Sequence, residues 1–91
     1  MSVQSAQRAA ERATGSRVTH LESVPIVETF RGQMVWQGMV EVFTVATPPP
    51  EHAYAWAVES DSGPQYVAVL GVPPINSPLD AVRAWIVSAR K

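Results

Sequence analysis

The chain has 91 residues, 46% of them apolar and 16% charged, with a net charge of −1. That composition suits a single packed domain and is too rich in core material for a disordered segment. Cysteine is absent, which excludes disulfide scaffolds, thiol nucleophiles and cysteine-ligated zinc.

A domain of this length buries about 60–65% of its unfolded surface. Its stability is therefore marginal, and dimerisation would help. Met1 to Arg17 contains arginines and a glutamate but no apolar core of the kind a secretory signal needs. No apolar run approaches the roughly 18 residues that span a bilayer, so a soluble, cytoplasmic protein with no membrane contact is expected. The charge is unevenly placed. Gly32 to Val82 holds Glu41, Glu51, Glu59, Asp61 and Asp80 with no Lys or Arg, whereas all seven basic residues lie outside that stretch. A mildly acidic middle repels a phosphate backbone, and nucleic-acid binding through it is not expected.

In chain order, residues 2–13 have high helix propensity, and Thr14-Gly15 offers a stop. The apolar face is almost all alanine and buries little area, so residues 1–16 read as an N-terminal arm or short helix ahead of a single domain over residues 17–91. Arg17 to Val24 reads as a short strand ended by Pro25, and Ile26 to Phe30 as a better one. Arg31-Gly32-Gln33 reads as a tight hairpin turn, with Gly32 supplying a positive φ.

Met34 to Ala46 carries the strongest strand pattern. Met34, Trp36, Gly38, Val40, Val42 and Thr44 alternate on one face; Gln37 and Glu41 fall on the other, which sets the first face against the core. Gly38 marks the expected bulge or bend. Pro48-Pro49-Pro50 breaks the sheet. Tyr54 to Ser60 and Tyr66 to Val72 then form a hairpin about a loop of about four to six residues spanning Asp61 to Gln65. Ala55 and Ala57 on one face leave room for close packing, for instance by the C-terminal helix. That helix begins at Ser77-Pro78-Leu79-Asp80, with Ser77 as cap, Pro78 in the first turn and Asp80 at the capping-box position. It runs to about Arg90 with an apolar stripe of Leu79, Val82, Trp85 or Ile86, and Ala89. The expected fold is α+β: an antiparallel meander of three to five strands packed against a C-terminal helix, with an N-terminal helix or arm.

The set Trp36-x-Gly38-x-Val40-x-Val42-Phe43, Tyr54-Ala55-Trp56 and Pro73-Pro74-Ile75-x-Ser77-Pro78-x-x-Ala81-Val82-Arg83 resembles a pattern in small stand-alone bacterial proteins with no assigned activity. The resemblance covers about residues 26 to 90 and implies a stable recurring unit without a mechanism. By analogy such proteins often travel on mobile gene cassettes. The passage from hairpin through proline loop to a helix carrying Asp80-Ala81-Val82 is also similar to hic-type antitoxin domains, although the Pro-Gly-Cys-like turn of those domains is missing.

Few constellations could carry chemistry. His20 and Glu22 form an H-x-E pair that simple alternation places on one strand face, but two ligands fall short of a metal site. His52, beside Glu51, could act as an acid/base group. Glu28, Glu41 and Glu59 are separate strand acids. There is no glycine-rich phosphate loop, and no cofactor is expected. Three tryptophans among seven large rings exceed what so small a core readily hides. The leading expectation is accordingly a non-enzymatic, self-associating binding module, a homodimer that offers an aromatic, weakly acidic sheet surface to a protein or small apolar ligand. Trp36, Glu41, Tyr54, Trp56 and Glu59 are its candidate binding residues. The alternatives are an antitoxin-like or inhibitor-like partner protein using a basic arm (Arg8, Arg12, Arg17), and a small hydrolase or isomerase using His52 or His20.

Overall fold

The computed structural model describes residues 3–89, with side chains through Ser88. In chain order it contains α1 (Val3–Thr14), β1 (Val18–Phe30), β2 (Gln33–Val45), β3 (His52–Ser60), β4 (Gly63–Leu70) and α2 (Pro78–Ala89). The fold is α+β. A single antiparallel sheet runs in the order β1-β2-β3-β4, and a helix precedes and follows it. No helix among the described residues is long and apolar enough to cross a membrane.

Two tight turns make the hairpins. Arg31 and Gly32 both take positive φ, 54° and 79°, the backbone a two-residue turn needs to match strand twist. The second hairpin closes over Asp61-Ser62 alone, with Ser60 paired to Gly63; its loop is shorter than expected because Gly63 adopts a φ of 106° and Ser60 Oγ donates to the Gly63 carbonyl at 2.6 Å.

β1 and β2 pair from Val18↔Val45 to Phe30↔Gln33, and β3 and β4 from Ala53↔Leu70 to Ser60↔Gly63. The hairpins meet only over the four pairs from Glu41↔Ala55 to Thr44↔His52. The sheet is therefore joined at one end and forked at the other. Each helix packs on a different face. Ala6 and Ala10 of α1 sit with Val18, Phe43, Val45, Ala53 and Ala55 over the joined end. On the opposite face, Ala81 and Val82 of α2 sit with Ile26, Val40, Val42, Tyr54 and Trp56. Phe43 and Trp56, the largest fully buried side chains, each contribute about 1.5–3 kcal/mol by leaving water.

Several sequence expectations are corrected. β1 does not stop at Pro25, which pairs with Met39 inside one continuous strand; β1 is an edge strand, where a missing N–H deprives no neighbour. Gly38 lies in register opposite Ile26, and the irregularities fall instead at His20/Glu22 and Glu28/Thr29. The alanine face of β3 is covered by α1 and not by the C-terminal helix. Phe43 and Val45 are also buried on that face, so both sides of β2 reach the interior. Residues 3–14 form a docked helix: Gln7 Nε2 donates to the Val18 carbonyl at 3.2 Å, and the Val18 amide donates to Glu11 Oε2 at 3.3 Å.

α2 starts as the sequence implies. Ser77 Oγ accepts from the Asp80 amide at 3.1 Å, while Asp80 Oδ2 reaches back to the Asn76 amide at 3.4 Å, one residue before the usual capping-box partner. Arg90, where the sequence reading ends the helix, and Lys91 lie outside the described residues.

Candidate binding cleft

The fork creates the most distinctive cleft of the molecule. Beyond Glu41↔Ala55 the inner edges of β2 and β3 no longer pair, and a cavity of about 450 Å³ opens between them. Trp36, Gly38 and Met39 of β2, Val58 and Glu59 of β3, and Trp85 of α2 line it. Trp85 closes the side covered by α2; no residue of α1 reaches the other side.

The cleft wall is a tryptophan cluster. Trp36, Trp56 and Trp85 meet edge to face, with centroids 6.0 Å apart for Trp36–Trp56, 6.4 Å for Trp36–Trp85 and 5.8 Å for Trp56–Trp85. This is the preferred arrangement of quadrupolar rings, worth about 0.5–1.5 kcal/mol per pair beyond area burial. Gly38 makes room for it, since a Cβ there would lie 2.7 Å from both Cη2 and Cζ2 of Trp36. Trp56 is 1% exposed, and its Nε1 is buried without a hydrogen-bond partner among the described residues. Its ring therefore serves as packing volume behind the two tryptophans that line the cleft.

The five sequence candidates do not converge on one spot. Trp36 and Glu59 line the cleft, with Trp56 behind them. Tyr54 is buried under α2, where desolvation, and then the charge of Asp80, raise its phenol above the usual tyrosine range. Glu41 lies on the opposite face, with His20 and Ser23. Trp85 and Met39 complete the cleft, and sequence reasoning did not assign them to a site. Trp85 was legible as part of the helix stripe, but nothing local in the sequence shows that the sheet forks beneath it.

The His20–Glu22 pair is separated by a bulge. Leu21 is an extra residue on β1, so His20 pairs with Phe43 and Glu22 with Val42. Neighbours on β2 face opposite sides, so the two side chains cannot share a ligand. His20 instead places Nε2 2.9 Å from Glu41 Oε1 and packs its ring edge-on to Phe43 at 5.5 Å. The Ser23 hydroxyl donates to the same carboxylate oxygen. A serine–histidine–acid relay needs the hydroxyl and the carboxylate on different imidazole nitrogens; here both groups gather at Nε2 of His20, 3.4 Å from Ser23 Oγ in the serine's case. His52 lines a separate hollow with Tyr54, Pro50, Gly71 and Pro73, and no serine or threonine among the described residues lines it. No cluster of three or more metal-ligating side chains occurs among the described residues.

Glu28, the third strand acid, is buried and paired with Arg83 Nε of α2. That hydrogen bond is the main cause holding its carboxyl below the usual glutamate range, with desolvation opposing it. Phe30, Val35, Ile86 and Val87 surround the pair in a hollow of about 310 Å³. The three strand acids thus occupy three separate environments and form no carboxylate couple.

No protein-family model, curated protein or solved structure matches the chain.

Proposed function

We propose that the protein is a non-catalytic binding module that works as a homodimer, joined through the free edges of β4, with the tryptophan cleft left open. The contrast between the two sheet edges carries this reading. β1 bears Pro25 in its middle and Glu22 three residues before it, devices that discourage pairing with another strand. β4 carries its one proline, Pro64, at its start beside the turn. From Gln65 to Leu70 it holds no charge and no proline, and it ends the sheet. Two copies of an uncharged antiparallel edge are self-complementary about a two-fold axis, and pairing them would extend the sheet to eight strands. A core whose largest buried side chains are Trp56, Phe43, Val40 and Val82 gains from such association.

Sedimentation of the wild-type chain and of Gln65→Lys, at an exposed position of β4, tests the proposal. The wild type should sediment at twice the chain mass, and the variant, with like charges brought close across the axis, as a monomer that keeps its circular dichroism. A wild type that stays monomeric at high micromolar concentration would remove the reading, as would a variant that is folded and still dimeric.

A further inference from the structure

Beyond self-association, and whether the chain is monomer or dimer, the geometry points to a ligand class for the cleft: we infer that it binds a small organic cation, an alkylammonium group with apolar substituents. The walls supply the first half of the chemistry. Trp36 and Trp85 line a cavity of about 450 Å³ together with Met39 and Val58, a volume in the usual range for small-molecule sites. Tryptophan rings attract a desolvated cation through their negative faces more strongly than other aromatic side chains do.

The second half is charge. Glu59 stands at the cleft as an exposed carboxylate, and the ion pairs among the described residues are His20–Glu41 and Arg83–Glu28, neither of which involves it. No Lys or Arg occurs anywhere from Gly32 to Val82, so both strands that bound the cleft lack lysine and arginine, and His52 of β3 lines a different hollow. An anion would meet uncompensated negative charge there. A neutral apolar molecule would find the rings but leave Glu59 unused. A bulky ammonium ion satisfies both, and its apolar substituents match Met39 and Val58.

Choline and its neutral isostere 3,3-dimethylbutan-1-ol form the test, read by indole N–H chemical shifts in titrations of the full chain. Choline should shift the Trp36 and Trp85 resonances at millimolar concentration and bind at least about threefold tighter than the isostere, the range that cation–π contacts give at partly exposed sites. Glu59→Gln should remove most of that preference. Met39→Lys, a change at an exposed position, should abolish choline binding while the isostere still binds. Equal affinity for the two probes would overturn the inference, as would choline shifts that avoid Trp36 and Trp85. A Glu59→Gln chain that is folded and keeps the full preference would do the same.

Discussion

Replacing Gly38 by alanine isolates the packing that shapes the cleft. The glycine lies in regular strand pairing opposite Ile26, and its φ is not positive, so an alanine meets no backbone strain. On conformational entropy alone the change should stabilise the chain by about 0.4–1 kcal/mol. Opposing this, the new Cβ would sit 2.7 Å from two atoms of the Trp36 ring, against a comfortable separation of about 3.5–4.0 Å. The ring would have to move by about 1 Å, and Trp56 and Trp85 pack against it at 6.0 and 6.4 Å. Overpacking of this kind costs about 1–3 kcal/mol, so the clash wins and the net loss is about 0.5–2 kcal/mol. For a domain of this size that lowers Tm by about 2–16 °C, using about 4–8 °C per kcal/mol. Thermal and urea unfolding measure it. In a Trp36→Ala background the same substitution should become neutral or stabilising, a coupling of about 1 kcal/mol or more. Equal effects of Gly38→Ala in both backgrounds, or a stabilised single mutant, would refute the reasoning.

Other expectations follow from the same contacts. Ala6 in α1 is 0% exposed, so Ala6→Leu should destabilise the fold by about 1–3 kcal/mol through overpacking; removal of residues 1–16 should abolish cooperative unfolding, as circular dichroism would show. Ser77→Ala removes the hydroxyl that caps the Asp80 amide and should lower stability by about 1 kcal/mol in urea titration. Because Glu28 is held below the usual glutamate value of 4.5 by Arg83, its contribution should be fully present above that pH and lost as pH falls through its folded-state value. Arg83→Met should remove that acid-side dependence from the stability-versus-pH curve. Tyr54 titrates above its ordinary 10.0 because of burial and Asp80. Its contribution should be present below pH 10 and lost as pH rises through the folded-state value, which absorbance at alkaline pH would follow.

What the sequence made legible is what local chemistry decides. Ser77-Pro78-x-Asp80 announced α2 through capping, Arg31-Gly32 announced a turn through left-handed backbone, and the alternation in Met34 to Ala46 identified the Trp36–Val42 face that α2 covers. Choices decided between elements were hidden. Alanines in α1 looked too small to dock, yet Ala53 and Ala55 on the sheet let the helix come close enough for Ala6 and Ala10 to be fully buried. One extra residue, Leu21, reversed the facing of Glu22 relative to His20. The fork between the hairpins depends on where β2 and β3 stop pairing, which no local pattern encodes. Trp36 and Glu59 could be named from sequence, but their meeting with Trp85 could not.

Hydrogen exchange at two protein concentrations tests the central claim most directly, because the outer amides of β4 and of β1 report on the two edges within one chain. Alternate amides from Gln65 to Leu70 should become protected as concentration rises, while those flanking Pro25 on β1 exchange at an unchanged rate. Concentration-independent exchange along β4, or protection that grows on β1 instead, would contradict the account.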